Sequence, residues 1–452
     1  MKRILAVLAA LMLVAGSAML LRGPHPADAA AKENFIRMFP DLPPIGLVPL
    51  QNLANLAQTQ LDPNADADNN PQGLTSGFTY FGQFLDHDST LDSSPPPTAP
   101  EDPTLDTINE RTLAFDLDSM YGDGPGSAAD GDKFDAVGHF LLQDPNPNGV
   151  LDFPRRADGS AIIVEPRNDE NEIIAQFQTM FMKAHNQIMA MGYDYNQARA
   201  ILIAHYQAAI EQDYLPHILS PVDDKVVKKL DPKKHGTPLE FSVAAFRFGH
   251  SQVRRAYELT PTTGKIQVFS FTQPDLRGGV QLQAGRLIDW GLFFSQLTDE
   301  EDAGHVNISR KIDPLISSSL FQLPIPGAEA TGSNVLAFRN LQRGMFYGLP
   351  SGQSVAAALG LPVFTSDQLG TTPYTGAETP LWYYVLAESA ITTGGAKLGP
   401  LGSTIVKATF QAEMKNGDHN VKHQPKDLMP QIVGPDGVMT IADFFVFTGL
   451  AA

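Results

Sequence analysis

The chain has 452 residues, 43% of them hydrophobic, no cysteine and a formal net charge of −18. That length and apolar content suffice for a sizeable core, while 38 glycines and 35 prolines point to long irregular connections rather than compact repeats. Lack of cysteine excludes disulfides, thiolate metal sites and lipobox anchoring, and the acidic balance makes nucleic acid and anionic membrane surfaces poor partners.

The opening segment, MKRILAVLAALMLVAGSAMLL, has the form of a secretory signal. Lys2 and Arg3 form its charged start, an apolar stretch follows, and ADAA at residues 27–30 offers a small-x-small cleavage site after Ala29. The expectation is a cleaved signal over 1–29, export to the periplasm or beyond, and one domain over 30–452. An uncleaved anchor is the alternative, since the apolar run is nearly long enough to cross a bilayer. Gly16 and Ser17 weaken that run, and no second membrane segment follows.

QTQLDPNADADNNPQG (58–73) reads as irregular. A helix is predicted over about 76–91, ended by SPPPTAPEDP (94–103), and mostly loop follows up to 169. NEIIAQFQTMFMKAHNQIMAM then places Ile174, Phe177, Phe181, Ala184 and Ile188 on one helical face. YNQARAILIAHYQAAIEQDYLPHIL reads as the next helix, DDKVVKKLDPKKHG (223–236) as a charged connection, and LEFSVAAFRFGHSQVRRAYEL (239–259) as another helix. Further helices are predicted around 333–347, 351–359, 379–391 and 401–414, with only short, scattered strand signals. The fold class is mainly α, with long ordered loops and little β structure.

Five segments carry candidate chemistry. FGQFLDHDST (81–90) puts His87 between Asp86 and Asp88 in a helix whose Phe81, Phe84 and Leu85 should be buried. Buried charges need partners, so this is either a solvated helix end or a site. RTLAFDLDSMYG (111–122) places Thr112, Ala114, Asp116 and Asp118 at alternate positions. In an extended loop these point to one side and suit a hard cation such as Ca²⁺; an ordinary acidic loop is the other reading. PRNDEN (166–171) holds Arg167 and Glu170 just before a long helix, where an acid also complements the helix dipole. FRFGHSQVRR (246–255) sets His250 within an apolar helix one turn after Arg247, a common place for a core histidine. RNLQRG (339–344) adds Asn340 and Arg343.

Taken in this order, GQFLDHD, DLDSMYG, the Arg-x-x-Glu before MFMKAHN, QDYLP, FRFGH and NLQRG resemble the animal-type haem peroxidases of the peroxidase–cyclooxygenase superfamily, in particular bacterial secreted members. The resemblance runs over roughly residues 75–360. It implies a b-type haem between a distal and a proximal helix. His87 matches the distal histidine, with Gln83 one turn earlier, and Arg167 matches the distal arginine. His250 matches the proximal iron ligand, with Asn340 as its partner. Arg247 and Arg343 match arginines near the haem, where propionates are natural partners. Asp86 and Glu170 match carboxylates that become esterified to haem methyl groups. Asp88, Thr112, Ala114 by its carbonyl, Asp116 and Asp118 match a calcium site, though relatives often carry serine at the last of these.

The implied activity is reduction of hydrogen peroxide to water while a small-molecule donor such as a halide or phenol is oxidised. Asn171 stands where myeloperoxidase has methionine, so a sulfonium link to haem is not available. Two other readings stay open: a fatty-acid dioxygenase of the same superfamily, and a non-catalytic calcium-stabilised binding protein on this scaffold. The dioxygenases place tyrosine three residues before the proximal histidine, and here that residue is Arg247. Donor and oligomeric state are left open.

Overall fold

A computed structural model describes residues 33–64, 67–94, 107–230, 236–272, 274–325, 334–416 and 428–451. The signal assigned to 1–29 and most of the proline-rich segment after residue 94 lie outside the described residues. The architecture is mainly α, as the periodicity predicts. The longer helices are α1 (Leu50–Thr59), α2 (Ser76–Ser89), α3 (Glu172–Ala190), α4 (Tyr195–Ala209), α5 (Leu336–Phe346), α6 (Gly352–Ala358), α7 (Leu381–Thr393), α8 (Pro400–Asn416) and α9 (Ile441–Thr448). Among the described residues the sheets are two antiparallel pairs, β1 (Glu33–Asn34) with β2 (Ile108–Asn109), and β3 (Ala256–Glu258) with β4 (Lys265–Gln267).

Helices α2 and α3 pack on each other within the core. Phe81 and Phe84 of α2 face Phe177 and Phe181 of α3, with ring centroids 6.2 and 5.0 Å apart. Three- and four-residue spacings put each pair on one helical face, so the two ladders meet in register. Phe81, Phe84 and Leu85 are fully buried, which turns the remaining faces of α2 toward polar partners. α9 closes the other side of α3, where Phe445 stacks on Trp290 at 4.1 Å. α1 packs on α5, and α7 lies between α5 and α8.

Two expectations about elements need correction. The apolar run 239–259 is not one helix: a π turn (Glu240–Ala244), a 3-10 turn (Ala245–Phe248) and a single α turn (Gly249–Gln252) lead into β3. Long-range partners break it. Buried Glu240 accepts the amides of Met38 and Phe39 at 2.9 and 3.2 Å, and Phe241 packs edge-on to Phe410 of α8 at 5.9 Å. A π turn holds one extra residue, so the side chains after it are rotated relative to a regular helix. The charged connection at 223–236 contains a short helix, Asp224–Lys229, begun by Asp223, whose side chain accepts the Lys225 amide. Helices α1 and α9 have no counterpart in the sequence reading.

Candidate active site

Segment 165–171 positions several of the predicted residues through its caps. Pro166–Asp169 is a 3-10 turn whose first cap is the Glu165 carboxylate, accepting the Arg167 amide at 2.9 Å. Asn171 then caps α3, its side chain accepting the amides of Ile173 and Ile174 at 3.1 and 2.9 Å. Between the caps, Arg167 and Glu170 are brought up to α2. Gln83 Nε2 donates to Glu170, and Arg167 Nη2 donates to the carbonyl oxygens of Thr90 at 2.6 Å and His87 at 3.3 Å.

His87 is 4% exposed, and its Nδ1 lies 2.7 Å from Asn168 Oδ1. An amide oxygen accepts, so Nδ1 carries the hydrogen and Nε2 keeps its lone pair. Asn168 Nδ2 donates in turn to Gln178, which orients the amide. Burial, then the Arg167 charge, lowers the His87 pKa to about 4, so the ring is neutral at ordinary pH. Burial, with Glu165 and Asp86 nearby, raises Glu170 to about 8 against the pull of Arg167. Asp86 accepts from Thr90 Oγ1 at 3.2 Å.

His250 does not sit mid-helix; it belongs to the single turn Gly249–Gln252, which packs against α2. Its Nδ1 is 2.8 Å from the Asn340 side-chain amide of α5. Amide nitrogen and oxygen exchange on a flip, so the arrangement permits Nδ1–H to donate to the amide oxygen and leave Nε2 as a free ligand. No described residue hydrogen-bonds that Nε2. Burial, then Arg247, lowers the His250 pKa to about 3.

Arg247 and Arg343, expected to lie near a haem, differ in their surroundings. Arg343 donates to Asp92 at 2.7 Å and lies over the Tyr347 ring at 5.1 Å, leaving Nε buried without a partner. Arg247 bonds the Ser242 carbonyl through Nε at 2.9 Å, and its terminal nitrogens meet no described acceptor. Burial and the like charge of Arg343 lower its pKa to about 10. An anionic group placed between them relieves that repulsion.

The acidic loop is not extended throughout. Leu117 takes a left-handed conformation (φ 60°), and Asp118 begins a helical turn, Asp118–Tyr121. That bend aims the amides of Leu117 and Ser119 at Asp88, 3.1 and 3.2 Å away; the Ser119 and Tyr206 hydroxyls complete its shell at 2.8 and 3.1 Å. Thr112 bonds Asp118 through its amide and Asp116 through its hydroxyl, both at 2.8 Å. Ala114 is buried in the same loop. Among the described residues no three His, Asp or Glu side chains form a ready-made metal cage. The donor chemistry nonetheless suits a hard cation. Burial and Asp116 raise Asp88 to about 7, Asp118 is raised by burial, and one Asp118 oxygen is buried without a hydrogen bond.

Sequence reasoning passed over Glu165, Arg111, Asn168 and Asp92. Asn168 follows Arg167 and Glu165 stands two residues before it, and that nearness was the only signal for them; the partners of Arg111 and Asp92 are visible only in the fold.

The same helical architecture occurs in Peroxidase A from Dictyostelium discoideum, with a TM-score of 0.66 and 19% identity over 94% of this chain and 95% of that one. It occurs also in a fatty acid alpha-dioxygenase from Arabidopsis thaliana, with a TM-score of 0.60 and 14% identity over 92% and 77%. Fold and site together define a member of the peroxidase–cyclooxygenase superfamily. Residues 96–372, more than half of the chain, match the animal haem peroxidases, and the chain belongs to that family. Peroxidase mlt-7 of Caenorhabditis elegans is 25% identical over 285 residues, 56% of this chain and 36% of that protein. Peroxinectin A of Dictyostelium discoideum is 27% identical over 226 residues, 46% of this chain and 39% of that protein. The chain thus spans well under two thirds of the length of these relatives. Family membership implies haem binding, and among the described residues no helix is long and apolar enough to cross a membrane.

Proposed function

We propose that this protein is an exported haem peroxidase that reduces hydrogen peroxide and oxidises a small-molecule donor. The carrying observation is the pair of oriented histidines: His87, neutral with Nε2 free, and His250, with Nδ1 engaged by Asn340 and Nε2 unpartnered. His250 would ligate the iron, Asn340 would set its tautomer, and Arg247 and Arg343 would meet the propionates. Haem held there would supply the redox chemistry that couples reduction of peroxide to oxidation of the donor. His87 accepts a proton from the bound peroxide at Nε2 and returns it to the departing oxygen. Arg167 offers the side of its guanidinium that Nη2 leaves uncommitted to the charge that develops on that oxygen. Gln83, tied to Glu170, orients the distal side.

Asp86 and Glu170 are proposed to form ester links to haem. Calcium is proposed at Asp88, Thr112, Ala114, Asp116 and Asp118, although Asp88 must exchange one of its present donors to ligate it. The signal at 1–29 is the basis for export. The dioxygenase reading draws on the shared fold with the Arabidopsis protein; Arg247, where those enzymes use tyrosine, disfavours it.

The absorption spectrum of the purified, haem-supplied protein, with and without peroxide, tests the proposal. A Soret band that shifts on adding peroxide, and that His250→Ala weakens or abolishes, is expected. Full haem occupancy with an unchanged spectrum in the variant would overturn the assignment.

A further inference from the structure

Arg167 is gripped through one nitrogen. Nη2 makes the contacts to Thr90 and His87 and also an ion pair to Glu165 at 2.8 Å, while Nε is buried and unpartnered. Glu165 is fully buried, and the same carboxylate takes Nη2 of Arg111. Arg111 in turn donates from Nε to the His87 carbonyl at 3.0 Å and stands 3.8 Å from Asp118. Two guanidinium groups therefore share one carboxylate, and both touch the backbone of His87. None of the steps proposed above uses Glu165 or Arg111.

A buried carboxylate between two arginines could serve charge balance alone, but the geometry here is asymmetric. Glu165 occupies Nη2 of Arg167 and its main-chain amide, so the side chain is held at both ends of its reach. What remains uncommitted on the guanidinium is Nη1 and Nε, neither of which meets a described acceptor. We propose that Glu165 is the positioning residue for Arg167, holding Nη2 so that the uncommitted side of the guanidinium serves an oxygen or anion bound in the distal pocket, and that Arg111 locks Glu165 to the His87 backbone. The inference deepens the peroxidase reading and rests on the role given there to Arg167.

Cyanide binding to the ferric, haem-loaded protein reads the arrangement without turnover, because the bound anion is stabilised by distal donors. Glu165→Gln should raise the cyanide Kd and slow the reaction with peroxide, each by about 10- to 100-fold, the usual range for a residue that orients a ligating or reacting group. Glu165→Asp, which keeps the charge, should restore part of both. Arg167→Gln is the reference. Weaker cyanide binding in Arg167→Gln with none in Glu165→Gln would overturn the role of Glu165 alone. Unchanged binding in both would overturn the role of Arg167, and the inference with it. Should Glu165→Gln fail to fold, Arg111→Lys keeps the charge but not the fork. It should weaken cyanide binding in the same direction, and an unchanged Kd there would likewise overturn the proposal.

Discussion

His87 owes its properties to three neighbours of different kinds. Burial removes the water that would stabilise its charge, Arg167 repels a proton, and Asn168 fixes which nitrogen carries the hydrogen. A neutral base therefore survives to low pH. Replacing His87 by Ala should slow the reaction with peroxide about 10²–10⁴-fold, as expected for a positioned proton-transfer group, with haem still bound. Stopped-flow rates equal to wild type would remove His87 from the mechanism. In the wild type this rate should hold as pH falls to about 5 and drop as His87 protonates near 4. Asp86 and Glu170, proposed above to bond haem, make a second expectation at this scale. A carboxyl bonded to a haem methyl is no longer a buried charge, which suits Glu170 in particular. After treatment with peroxide and acid denaturation, haem mass should remain on peptides containing Asp86 or Glu170; fully extractable haem would refute the linkage.

At the scale of elements, α2 is seated by close approaches that its glycines permit. A Cβ on Gly82 would lie 2.4 Å from the Tyr214 hydroxyl, and one on Gly77 2.4 Å from the Phe293 carbonyl oxygen. Gly82→Ala should destabilise the fold by about 1–3 kcal/mol, the range for overpacking a tight interior. Tyr214→Phe removes the colliding atom, so the double variant should recover much of the loss in a double-mutant cycle of thermal unfolding. Strictly additive effects would mean that the two residues do not collide. The acidic loop is the second such element. Its bend at Leu117 concentrates Asp88, Asp116 and Asp118, and a bound cation would offset their repulsion. Stringent chelation should lower the melting temperature and the peroxidase activity together, since binding to the native state adds to its stability. Absence of calcium from elemental analysis of the native protein would end that idea.

At the scale of the whole molecule, some buried carboxylates have no cationic partner among the described residues. Glu413 of α8 accepts the hydroxyls of Ser89 and Thr237 at 2.8 and 3.2 Å. Burial, with Asp88 and Asp86 nearby, raises its pKa to about 8. The native state holds this proton after the unfolded chain has released it. Stability is therefore lost as pH rises from the ordinary carboxyl pKa of 4.5 toward 8, by up to about 1.4 kcal/mol per pH unit. Glu413→Gln removes that slope, so its stability relative to wild type should climb between pH 5 and pH 8 in denaturant titrations of the haem-free protein. A constant difference would show that Glu413 is ionised in the native state.

What the sequence determined by itself was local: helical periodicity, which faces are apolar, and which polar residues interrupt them. Phe81, Phe84 and Leu85 in the core and α3 starting near residue 171 follow from spacing and capping alone. The ordered motifs added the family. Tertiary structure decided the partners. Asn340 reaches His250 from 90 residues away, Arg167 reaches Thr90 across 77, and Arg111 reaches Glu165 across 54. It also broke the run at 239–259, where a buried Glu240 bonded to the chain near Met38 outweighs an uninterrupted helical pattern. Periodicity records how often a side chain is buried. The atom each buried polar group meets depends on elements folded against it from elsewhere in the chain.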